Sequence, residues 1–204
     1  MEKFASVRGA AAPLLIDDIN TDQIAPVQFM RALEPDYEKA LFARWRGDPN
    51  APFVLDEQRF RRAPILVAGS NFGCGSAREV AVWALAAHGV RCIVARSFSE
   101  VYRESLLKNG MLPVVLNPAL RSDFEARVVA ADGQAPFEVD LAAYRITCPD
   151  GAAFAFGMDA GERTALLEGL DDVAMTLRHR SLIDAWEKQT ALHQPWLQQI
   201  TATD

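Results

Sequence analysis

The stretch from Ala63 to Ala87 reads A-P-I-L-V-A-G-S-N-F-G-C-G-S-A-R-E-V-A-V-W-A-L-A-A and constrains the fold more than any other part of the chain. The apolar run Ile65 to Ala68 has the length and composition of a strand buried on both faces. Gly69, Gly73 and Gly75 mark a tight turn after it. Val80, Ala81, Ala84, Leu85 and Ala87 then recur at the spacing of an amphipathic helix. Ser76 stands at the predicted N-cap, and Glu79 three residues later completes the pattern of a capping box. Strand, glycine turn and helix start in succession aim backbone N–H groups and the positive end of a helix dipole at one point, which suits an anion. Arg78 is a cation where the dipole prefers an anion. Its placement calls for a carboxylate or phosphate from outside.

The flanking sequence extends this unit. Gly89 reads as a helix C′ glycine. Val90 to Ala95 is a second buried strand, Ser99 to Asn109 a helix closed by Gly110, and Leu112 to Leu116 a third strand stopped by Pro118. The result is β-α-β-α-β with short connections, which predicts an α/β fold with a parallel sheet and right-handed crossovers. On the N-terminal side, Val7 to Ile16 reads as one or two short strands broken by Gly9 and Pro13. Asp17 to Pro26 is a polar loop, and Asp22 is its candidate for lining a site. Gln28 to Leu33 and Glu38 to Trp45 have helical spacing. Gly47 to Pro52 is a breaker cluster, and Phe53 to Arg62 a charged connection. Beyond Pro118, Phe124 to Ala130, Phe137 to Leu141, Tyr144 to Cys148 and Ala152 to Phe156 read as short strands, with a hairpin at Asp150-Gly151. Helices are expected over 159–168 and 181–188, the second capped by Ser181. Residues 1–190 are expected to form a single domain and 191–204 a loosely held tail.

The totals exclude some function classes. A net charge of -6 over 204 residues argues against nucleic acid or an anionic membrane as a partner. No apolar run reaches the length of a membrane span, and Met1 to Ala5 lacks a signal-peptide core. Cys74, Cys92 and Cys148 are odd in number and form no C-x-x-C pair, which fits free thiols in a reducing cytoplasm.

Several chemistries compete for the central turn. Arg78 stands where a dinucleotide-binding fingerprint needs its third glycine, and Ala95-Arg96 offers no acid after the next strand. No Gly-Lys-Ser/Thr closes the turn as a phosphate loop would. Cys74 near a helix N-terminus could act as a nucleophile, but it would need a histidine base. His88 lies at the far end of the same helix, and His179 and His193 come late in the chain. The three thiols match the number that holds an iron–sulfur cluster with one open iron, yet they are scattered and Cys92 is in mid-strand, so no cluster is expected on this chain. Ser76 reads either as a helix cap or as a catalytic residue whose alkoxide is stabilised by nearby amides and a cation.

Asn71-Phe72-Gly73-Cys74-Gly75-Ser76-Ala77-Arg78-Glu79, followed by Trp83-Ala84-Leu85, resembles the small subunits of 3-isopropylmalate dehydratase, the swivel domain of the aconitase family. Asn20-Thr21-Asp22-Gln23-Ile24 with Pro26 and Gln28-Phe29, Ser97-Phe98, Asn109-Gly110, Leu112-Pro113-Val114, Gly169-Leu170-Asp171, Thr176-Leu177 and His179 extend the resemblance in order along the chain. It implies an aconitase-like swivelling domain and a hydro-lyase that interconverts 2- and 3-isopropylmalate in leucine biosynthesis. It further implies a large-subunit partner carrying a [4Fe-4S] cluster, with no cofactor on this chain. On the matching positions, Ser76 would be the base, Arg78 would hold a substrate carboxylate, and Asn71, Gly75 and Asp22 would line the substrate site. The family pattern has serine, histidine and lysine where Ala77, Val80 and Val27 stand. These departures leave open another substituted malate as substrate, or a non-catalytic anion-binding paralogue. A stand-alone hydrolase using Ser76 or Cys74 is the remaining rival.

Overall fold

The computed structural model describes residues 1–30, 35–48 and 51–196. The chain divides into two compact units, Met1–Gly169 and the segment from Leu170 onward. In the first, β2 (Ala11–Leu14), β3 (Ile65–Ala68), β4 (Cys92–Ala95) and β5 (Leu112–Val115) form a parallel sheet in that order. A second, antiparallel sheet has the order β1 (Ser6–Gly9), β6 (Phe137–Asp140), β7 (Arg145–Thr147), β8 (Ala153–Ala155). The expected α/β fold with a parallel sheet, flanking helices and additional short strands is therefore present.

Strict alternation along the parallel strands separates two cores. Leu66, Ala68 and Ile93 pack with Val82 and Leu85 of α3 (Glu79–His88) and Tyr102 and Leu106 of α4 (Glu100–Lys108). Ile65, Val67, Cys92, Val94 and Val114 face the other way. They meet Phe124 and Val128 of α5 (Pro118–Ala131), Val139, Ile146 and Phe154 of the antiparallel sheet, and Leu166 of α6 (Ala160–Glu168). Burial on both faces is why these strands read as unbroken apolar runs. Pro13 is tolerated in β2 because β2 is an edge strand and has one neighbour fewer to serve.

Four local expectations are corrected. Residues 124–130, read as a strand, are the second half of α5. Asn117 accepts a hydrogen bond from the Ala119 N–H at 3.0 Å and Pro118 occupies the first helical turn, so the proline that stops β5 also starts a helix. Phe124 and Val128 then share one buried face at i and i+4, while Val129 points to solvent. The helix expected over Glu38 to Trp45 is only one turn, α2 (Tyr37–Ala40). Phe42 leaves it in a left-handed conformation (φ 48°) that buries its ring against Trp45 and Phe53. The loop Asp17 to Pro26 contains a helical turn, α1 (Thr21–Ile24). Its capping box pairs the Asn20 side chain with the Gln23 N–H and the Gln23 side chain with the Asn20 N–H. Of the helical pattern Gln28 to Leu33, Val27–Met30 is a 3-10 turn and residues 31–33 lie outside the described residues. Residues 49 and 50 of the breaker cluster also lie outside them.

In the second unit, α7 (Asp172–Leu177) was not expected from the sequence. It is capped by Asp171, which accepts from the Ala174 N–H at 2.7 Å. In α8 (Arg180–His193) the N-cap is His179 rather than Ser181, so the helix starts earlier and ends later than the expected 181–188. Of the expected tail, residues 197–204 lie outside the described residues.

Candidate functional site at the C-terminal edge of the parallel sheet

Three loops leave neighbouring parallel strands at the same edge and continue the ladder beyond it. Gly69 donates to Ile16 O at 3.2 Å, Asp18 to Ser70 O at 2.9 Å, Gly73 to Ile19 O at 2.8 Å and Thr21 to Cys74 O at 3.1 Å. On the other flank, Arg96 donates to Gly69 O, Phe72 to Ser97 O and Ser99 to Phe72 O. The 69–74 segment is thus laced on both sides, and side chains reinforce it. Asp17 accepts from the Ser70 N–H at 2.6 Å, and this bond holds its carboxyl below the usual carboxylate range. Asn71 Nδ2 donates to Asp18 Oδ1 at 2.8 Å.

Beyond Cys74 the chain projects outward. The residues at 71, 73, 75 and 77 have positive φ (Asn71 54°, Gly73 77°, Gly75 87°, Ala77 47°) and the residues between them do not. Alternation of this kind turns successive N–H groups toward one concavity, a backbone nest for anions. From Gly75 through Val80 no backbone N–H meets a protein acceptor among the described residues. Gly75 and Ser76 are exposed. Among the described residues the corner faces solvent.

The expected capping box at Ser76 does not form. Helix α3 starts at Glu79 with Arg78 in the N-cap position and no side-chain cap. Ala77, in a left-handed conformation, breaks the helical path between Ser76 and Arg78. Ser76 Oγ instead lies 3.2 Å from Thr21 Oγ1, and the Glu79 carboxylate accepts from Asn109 Nδ2 at 3.1 Å. Among the described residues nothing in the chain caps these amides. Arg78, expected to await an external anion, has an internal partner: its Nη1 donates to Asp22 Oδ1. The guanidinium has five N–H donors and this contact uses one end of it.

Ser76, Arg78, Gly75 and Asp22 thus share one corner. Asn71 lies at the base of the same loop with its amide turned to Asp18, not to Ser76. Thr21, which spacing alone did not single out, joins them through the fold; its contact with Ser76 spans 55 residues of sequence. His88 ends α3, is buried, and has both ring nitrogens without a hydrogen bond.

The thiols do not suit a metal cluster. Cys92 is fully buried in β4, and burial pushes its thiol far above the usual range. Burial raises Cys148 to about 11. Cys74 Sγ lies 3.4 Å from the Asp18 carbonyl. Among the described residues no group of three or more histidines, cysteines or acids is arranged to hold a metal ion, and no helix is long and apolar enough to cross a membrane.

Residues 1–119 match the aconitase C-terminal domain family, and residues 172–200 match the C-terminal domain of the 3-isopropylmalate dehydratase small subunit. A 3-isopropylmalate dehydratase small subunit of Sinorhizobium fredii is 41% identical over 203 residues, covering 96% of this chain and 100% of the relative. One from Azorhizobium caulinodans is 40% identical over 204 residues, covering 97% and 100%. The crystal structure of a 3-isopropylmalate dehydratase from Methanocaldococcus jannaschii superposes with a TM-score of 0.61 at 26% identity, covering 89% of this chain and 99% of that one. With the loop, its flanking ladder and these matches in agreement over nearly its whole length, the chain belongs to the family of 3-isopropylmalate dehydratase small subunits, within the aconitase family.

Proposed function

We propose that this chain is the small subunit of a two-subunit hydro-lyase that interconverts 2- and 3-isopropylmalate in leucine biosynthesis, by removing water and adding it back to the other carbon. The observation that carries this reading is the exposed Ser76 hydroxyl on a corner of uncapped amides beside Arg78. A base with the pKa of a free serine would be useless at neutral pH; in this reading the unpaired amides of the loop and the cationic Arg78 it carries supply the electrostatic stabilisation that makes the ionised form accessible.

In this reading Ser76 takes the carbon-bound proton. The end of the Arg78 guanidinium not held by Asp22 receives a substrate carboxylate, and the Gly75 N–H borders it. Asp22 fixes the orientation of Arg78, and Asn71 supports the loop from below. We assign the [4Fe-4S] cluster to the large subunit, since the thiols of this chain do not fit one; bound there, it supplies Lewis-acid assistance to the departing hydroxyl. The free state of Cys74, Cys92 and Cys148 supports a reducing, cytoplasmic setting.

Co-expression with a large subunit and assay with 2-isopropylmalate tests the proposal. The complex should form 3-isopropylmalate, and this chain alone should not. A panel of other 2-alkylmalates run alongside fixes the substrate, to which Val27, Val80 and Ala77 are relevant. A well-assembled complex inactive on every member of the panel would refute the reading.

A further inference from the structure

We propose that Thr21 is a positioning residue for Ser76: its hydroxyl donates the hydrogen bond that Ser76 Oγ requires when it acts as a base. The inference rests on the assignment of Ser76 above and deepens it.

Thr21 is 1% exposed, and its Oγ1 lies 3.2 Å from Ser76 Oγ. It is fixed in three ways. Its N–H donates to Cys74 O at 3.1 Å, within the same loop that carries Ser76. The Asn20–Gln23 capping box holds the turn that Thr21 begins. Its branched Cβ restricts χ1. The next residue, Asp22, holds Arg78. One helical turn thus addresses both functional side chains of the motif loop. The Ser76 side chain makes no other hydrogen bond among the described residues.

In the resting pair either hydroxyl could donate. An ionised Ser76 oxygen has no proton to give, so Thr21 must then be the donor, and the bond becomes charge-assisted and stronger. It favours the ionised form and lowers the proton affinity of Ser76. In the forward step the substrate C–H bond breaks, its proton goes to Ser76 Oγ, and its electron pair forms the carbon–carbon double bond as hydroxide leaves the neighbouring carbon. Thr21 keeps its own proton throughout.

The test uses the assembled complex with Thr21→Val, which keeps the shape and removes the donor, and Thr21→Ser, which keeps the donor. Thr21→Val should lower kcat by about 10- to 100-fold with KM within about twofold. It should also shift the limb of the pH–rate profile on which the base deprotonates toward higher pH. Thr21→Ser should restore most of kcat and the original limb. If Thr21→Val assembles poorly, Thr21→Ala is read for the same limb. An unshifted limb, wild-type kcat in Thr21→Val, or failure of Thr21→Ser to rescue overturns the proposal. Ser76→Ala measured in parallel separates the two levels. Turnover surviving in Ser76→Ala removes the base assignment itself, whereas an inactive Ser76→Ala beside a normal Thr21→Val removes only the role of Thr21.

Discussion

A Cβ on Gly73 would be driven into the ring of Tyr102, and its φ of 77° disfavours any side chain. Tyr102 is itself fully buried against Phe72, so the ring has nowhere to retreat. Gly73→Ala is expected to cost about 2–3 kcal/mol or more, read as a lowered urea midpoint. His88 gives a pH-dependent counterpart. Burial first, then nearby Arg46, lowers its pKa from 6.5, so it stays neutral in the native state while the unfolded chain takes up a proton near pH 6.5. Its contribution is complete above that pH and is lost as pH falls below it. The urea midpoint should therefore drop between about pH 7.5 and 5.5, and His88→Leu should flatten that dependence. At this scale the sequence disclosed Ser76, Arg78 and Asp22 as candidates, but not that Asp22 pairs with Arg78 or that Thr21 meets Ser76. Those contacts join positions 55 and 56 residues apart, and no local pattern encodes them.

The elements β3, α3, β4, α4 and β5 were legible because apolar runs of four to six residues alternate with helical spacing and are punctuated by Gly89 and Gly110. α5 was not. Its valines and Phe124 have strand propensity, and only the Asn117-Pro118 start signals a helix. The start of α3 was misplaced because Ser76 and Glu79 match a capping box in spacing, while the left-handed Ala77 diverts the chain between them. That diversion leaves the amides of Gly75 to Val80 without a protein acceptor among the described residues. In α1 the capping box is real. Asn20→Ala should cost about 1 kcal/mol in chemical denaturation. It should also reduce turnover of the complex beyond what that stability loss explains, because α1 carries Thr21 and Asp22.

At the scale of the molecule, among the described residues neither core cluster contains a residue beyond Leu167, and neither α7 nor α8 has a buried residue. A chain ending at Gly169, which retains both core clusters, is therefore expected to unfold cooperatively; loss of cooperative unfolding would show that the first unit depends on the second. The central claim concerns the open corner on that first unit. Its most direct test is exchange of the carbon-bound hydrogen of 3-isopropylmalate with deuterium oxide, followed by NMR in the complex with the large subunit. The wild-type complex should exchange that hydrogen, and Ser76→Ala should slow exchange by roughly 10³-fold with assembly intact. Exchange at the wild-type rate in Ser76→Ala would contradict the account.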